Sequence, residues 1–154
     1  MTTDYTVASL PALAFGAGAP ITRAAFEEAA GGTGFTAALA AKWRDLETQL
    51  RNALAEARGG GEKFRRPADG CSVYWRARVL DCFAEKDVAK RDEMLDRVWW
   101  DAAGELAAPA DPLGPGALAC YAVRLGIAER RSRISKDAGN AAFDRLTAET
   151  KEST

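Results

Sequence analysis

Between Thr36 and the run Gly59-Gly60-Gly61, apolar residues recur at alternating four- and three-residue steps: Leu39, Trp43, Leu46, Leu50, Ala53 and Ala57. Only a helix gathers such positions on one face, because a turn takes about 3.6 residues. The stripe is narrow, so this helix must bury it against another helix, as in a hairpin or a coiled-coil seam. Arg44, Asp45, Glu47, Arg51 and Glu56 fall on the opposite side, with Glu47 and Arg51 spaced to pair one turn apart. Composition points the same way. Of 154 residues 33 are alanine, while β-branched and aromatic residues are scarce, which favours helices over strands. The length suits one compact domain with a buried core.

Further helix signals follow along the chain. Thr22 can cap Arg23 to Ala30, which Gly31-Gly32 would end. Ser72 to Phe83 reads as another helix. Asp87 can cap a longer one carrying Val88, Leu95, Val98, Ala102 and Leu106, stopped by Pro109 and Pro112. Pro115 suits the first turn of the next, through Leu118, Tyr121, Ala122, Leu125 and Ala128, and Ser135 or Asp137 can recap a last helix with Ala138, Ala142 and Leu146. Tyr5 to Leu10 reads as a short strand or extended arm ended by Pro11. We therefore expect an all-α, single-domain bundle of five or six helices with a short extended N-terminal arm. Residues 1–58 form the arm and a helical hairpin, 59–70 a flexible glycine-rich basic loop, 71–148 the C-terminal helices and 149–154 a frayed tail. Leu39, Trp43, Leu46, Leu50, Leu118, Leu125 and Leu146 are the expected core.

The chain contains no histidine. That removes the usual general base near neutral pH, the Ser-His and Cys-His nucleophile pairs, and imidazole metal ligands. Cys71, Cys82 and Cys120 are odd in number and not spaced as CxxC, which reads as reduced thiols in a cytoplasm. Gly59-Gly60-Gly61-Glu62-Lys63 lacks the GxxxxGK-Ser/Thr order of a phosphate loop. Asp92, Glu93 and Asp96 interleave with Lys90, Arg91 and Arg97, the pattern of a salt-bridged helix face rather than a metal site. We expect no catalytic residue, no metal and no cofactor. The apolar start from Val7 to Ala19 mimics a signal peptide, yet it lacks a basic leading region, carries Asp4 and is cut by Pro11. No stretch approaches the roughly 20 apolar residues of a membrane span.

With 21 basic against 22 acidic residues, any charged partner must be met by a local patch. One cluster is Lys63, Arg65 and Arg66 in the loop. The other is Arg124, Arg130, Arg131 and Arg133, dense enough to meet phosphates or an acidic protein surface. Phe64 alone is interleaved as a stacking aromatic, so nucleic acid is not the expected partner. Neighbours on a helix point about 100° apart, so Trp99 and Trp100 cannot share one core, and at least one belongs near an edge suited to a partner. The expected partner-binding set is Arg124, Arg130, Arg131, Arg133, Trp99 and Trp100.

Four segments also carry a family likeness. They are Val7-Ala8-Ser9-Leu10-Pro11-x-Leu13 with Phe15-Gly16; Trp43-x-x-x-Glu47-x-x-Leu50-Arg51-Asn52-x-Leu54; Arg91-Asp92-x-Met94-Leu95-Asp96-x-x-Trp99; and Tyr121-x-x-x-Leu125-x-Ile127-x-Glu129-Arg130 followed by Gly139. Together they resemble a bacterial family of unknown function encoded beside V-type ATP synthase genes. Members of that family are similar in turn to the helical C-type subunit of these ATPases (d-type in eukaryotes), which sits on the membrane rotor ring and receives the central shaft. The resemblance implies a non-catalytic adaptor with the shaft and ring subunits as partners, cytoplasmic and peripheral to the inner membrane. Two other classes remain open on the residues alone: an unrelated helical interaction or regulatory module, and a small histidine-free enzyme using carboxylates and arginine.

Overall fold

The computed structural model describes residues 2–152. In chain order the helices are α1 (Thr3–Ser9), α2 (Arg23–Ala30), α3 (Ala37–Ala57), α4 (Val73–Cys82), α5 (Val88–Ala103) and α6 (Pro115–Glu152), with 3₁₀ turns at Glu62–Phe64 and Gly104–Leu106. No strand occurs among the described residues, and the fold is an all-α, single-domain bundle. Helices α2, α3, α4 and α5 each start where a short polar side chain accepts an otherwise orphaned backbone N–H. Ala25 donates to Thr22 Oγ1 at 3.1 Å and Leu39 to Thr36 Oγ1 at 3.2 Å. Trp75 donates to Ser72 Oγ at 3.2 Å and Lys90 to Asp87 Oδ1 at 3.1 Å.

The N-terminal arm differs from the expectation of an extended segment over Tyr5 to Leu10, because Thr3–Ser9 is helical. Thr2 caps it by accepting from the Tyr5 N–H, and Thr6 Oγ1 and Ser9 Oγ donate to carbonyls one turn back. Packing overrides the weak local preference here. Val7, Leu10 and Leu13 seal a cluster whose centre is Phe26, Leu118, Ala122 and Leu125. Pro11 still ends the element, holding Leu10 extended at φ −67° and ψ 140°.

A second cluster joins α3, α4 and α5 through Leu46, Leu50, Trp75, Val79, Leu95 and Val98. Ala103, Leu106, Ala119 and Cys120 form a third, bridging the turn after α5 to α6. Leu46, Leu50, Leu118 and Leu125 are buried as their spacing predicts, whereas Leu39 and Trp43 are half-buried at the edge of the third cluster. Gly34 sits at φ +86° between α2 and α3, where an added Cβ would lie 2.8 Å from the Phe26 ring. Glycine is required there on both counts.

The C-terminal region departs most from the sequence reading. There is no break at Ser135 or Asp137 and no separate last helix, for α6 runs unbroken over 38 residues. Ser135 and Gly139 lower helix propensity without stopping a helix, and the alanines around them favour continuation. The helix therefore passes beyond the body instead of folding back, which leaves Leu146 63% exposed rather than in the core. The tail expected to fray from Glu149 is helical through Glu152, with Ser153 and Thr154 outside the described residues. The side chains of Ala138 and Ala142 also lie outside the described residues.

Candidate interaction surface

The seam between α5 and α6 gathers three of the four arginines singled out in the second basic cluster, Arg124, Arg130 and Arg131. Asp96, facing α6 from α5, is only 7% exposed. Its carboxylate accepts from Arg130 at one oxygen and from Arg131 Nη1 at the other, the latter at 2.8 Å. A carboxylate this buried needs such partners, since an unpaired one would carry a large desolvation penalty. Arg131 also lies 3.9 Å from Asp92.

Phe15, delivered by the segment after α1, completes the seam. Its ring meets Trp100 edge-on, with centroids 5.5 Å apart, and the guanidiniums of Arg97 and Arg131 lie 5.2 and 5.6 Å from its centre. Arg97 is held in turn by Asp101 at 3.2 Å. Arg124 donates to the Trp100 carbonyl at 3.0 Å and sits over the Trp100 ring.

The expected partner-binding set thus divides. Arg124, Arg130, Arg131 and Trp100 come together, but largely as an internal seam. Trp100 is 5% exposed and belongs to the interior, a correction to its reading as a surface residue. Its neighbour Trp99 is half-buried against the α3–α4–α5 cluster, in keeping with a pair that cannot share one face. The Arg130 side chain stays 46% exposed while bound to Asp96, so the seam presents positive charge outward. Arg133 is exposed one turn further along α6.

The C-terminal end of the glycine-rich segment is tied to α3. Asn52 grips Arg66 twice, accepting from its N–H at 2.9 Å and donating to its carbonyl at 2.8 Å. Asp45 accepts from the N–H groups of Asp69 and Gly70 at 2.6 and 3.1 Å, and Gln49 accepts from Ser72 at 2.9 Å. The Asp69 N–H, foremost, holds the Asp45 carboxyl below its ordinary range. Sequence reasoning placed Asp45 among solvent-facing charges and missed this role. The available signal was the polar row Asp45, Gln49, Asn52, which follows the same four-then-three step as the apolar stripe.

Between α3, this segment and α4 lies an open groove of about 1020 Å³ bordered by Glu56, Arg65, Cys71 and Arg76. Arg76 forms a two-pronged pair with Glu56, which lowers the Glu56 pKa and raises that of Arg76. Burial pushes the thiols of Cys82 and Cys120 up, so neither is a ready nucleophile near neutral pH. Among the described residues, no group of three His, Cys, Asp or Glu is arranged to hold a metal ion. No helix among them is long and apolar enough to cross a membrane. Comparison with family models, curated proteins and solved structures finds no match.

Proposed function

We propose that this protein is a non-catalytic helical adaptor of a rotary V-type ATPase, similar to the C-type subunit and linking the central shaft to the membrane rotor ring. On this reading it is cytoplasmic and peripheral to the inner membrane through that complex. One observation carries the proposal. Three of the four segments that bear the family likeness, far apart in sequence, contact one another in the fold: Tyr121 donates to the Pro11 carbonyl, Phe15 lies on Arg97 and Arg131, and Asp96 binds Arg130 and Arg131. The fourth lies on α3, where Leu50 is core, Glu47 pairs with Arg51 and Asn52 holds the loop.

An adaptor needs packed helices and charged rims more than an acid, a base or a nucleophile. Pull-downs of the tagged full-length protein with the shaft and ring subunits, at low and raised salt, test the reading. Retention of either subunit that weakens as salt rises is the expected result. No retention at low salt overturns the rotor assignment and leaves a helical interaction module serving another assembly.

A further inference from the structure

Residues 61 to 67, in the loop after α3, are all exposed. Phe64 lies within this run and is 60% exposed. Its ring lies beside Gly60, where an added Cβ would come within 3.0 Å of it, and the Lys63 ammonium sits 5.7 Å from its centroid. An exposed aromatic in solvent is common enough singly. The setting of this one is less common. Lys63, Arg65 and Arg66 surround it in the chain, and the double bond from Asn52 to Arg66 fixes the loop over α3. A groove of about 340 Å³ forms beneath, bordered by Arg44, Thr48, Arg51, Phe64 and Arg66. Its one carboxylate, Glu47, is paired with Arg51 at 3.3 Å. Glu62 is the only acid in the exposed run.

We infer that this loop is a contact for an anionic lipid surface, with Phe64 entering the headgroup region and Arg44, Lys63, Arg65 and Arg66 meeting lipid phosphates. The inference stands independently of the rotor assignment. An exposed basic loop with one aromatic fits a bilayer better than a nucleic-acid strand, which needs a row of rings to stack successive bases. The chain's overall net charge of −1 means that the attraction is local, so binding should be weak, reversible and sensitive to salt.

Vesicle flotation with the full-length protein tests it. Vesicles of equal parts phosphatidylcholine and phosphatidylglycerol should carry the protein at low salt, and vesicles of phosphatidylcholine alone should not. Lys63→Ala and Arg66→Ala should each weaken the partition about fivefold. Phe64→Ala should weaken it too, whereas Lys86→Ala, which removes an exposed charge on another element, should leave it unchanged. Circular dichroism of each variant separates lost binding from lost fold. Failure of the folded wild-type protein to float with anionic vesicles at low salt overturns the inference, as does equal loss in Lys86→Ala. Displacement from the vesicles by a short single-stranded oligonucleotide, with affinity that depends on Phe64, overturns it in favour of a nucleic-acid surface.

Discussion

The Tyr121 hydroxyl donates a 2.8 Å hydrogen bond to the carbonyl of Pro11, joining residues 110 positions apart. The same ring stacks on Phe26 with centroids 5.6 Å apart. Tyr121→Phe keeps the stack and removes the bond, so it should cost about 0.5–1.5 kcal/mol in urea denaturation. Tyr121→Ala should cost several times more, because it also empties part of the α1–α2–α6 cluster.

Burial raises the pKa of Tyr121 and of the Cys82 and Cys120 thiols. Each group therefore holds its proton more firmly folded than unfolded. Their contribution is complete below the unfolded values, about 8.5 for a thiol and about 10 for a phenol, and is lost as pH rises through the folded ones. Thermal melts should show a falling Tm on the alkaline side. Cys120→Ala should remove part of that fall, and an unchanged alkaline limb in that variant would contradict the assignment.

At the acid end the sign reverses. Asp45 has a lowered pKa, foremost through the Asp69 N–H, so its support for the loop is present above the ordinary value of 3.8 and is lost as pH falls below it. The Asp69 and Gly70 amides should then lose protection relative to their intrinsic exchange rates at that pH. Asp45→Asn should reproduce much of that lost protection at neutral pH, measured by amide hydrogen exchange.

Arg131→Met should destabilise the protein by about 2 kcal/mol. It leaves the buried Asp96 carboxylate to Arg130 alone, which is itself half-exposed. Pairing it with Asp96→Asn should recover part of the loss, because the unpaired charge is gone. A double-mutant cycle by chemical denaturation reads this coupling directly.

Leu50→Ala should cost about 2–5 kcal/mol, since Leu50 is fully buried between α3, α4 and α5. Leu146→Ala, on the projecting part of α6, should change stability by less than about 0.5 kcal/mol. Trp43→Ala should fall between them, because Trp43 is only half-buried.

How far the chain is legible in advance depends on where local signals and tertiary contacts agree. Thr22, Thr36, Ser72 and Asp87 are legible as caps because a short polar side chain before an amphipathic run has one favourable use. Leu50 and Leu125 are legible as core because their spacing matches the helix period. Thr3–Ser9 is not, because seven residues hold too little periodicity to separate a helix from an extended arm, and its stability comes from docking on α6. The unbroken α6 escapes a sequence reading because Ser135 and Asp137 are cap candidates, yet no glycine or proline stands just before them to end the helix. Of the candidate surface, the arginines are visible as a cluster, but their common partner Asp96, 34 and 35 positions away from Arg130 and Arg131, is not. Trp100 reads as an edge residue because its cover, Phe15, arrives from the far end of the chain.

The unbroken length of α6 has a mechanical consequence. At 1.5 Å per residue the helix is about 57 Å long, and the part after Ser132 accounts for roughly 30 Å of it. Its first half is clamped by Leu118, Ala122 and Leu125, and by the arginines on Asp96. A load applied to the last turns acts through that arm, so a tilt of about 10° at the clamp would move the tip by about 5 Å. The Asp96–Arg130–Arg131 seam sits where the bending moment is greatest.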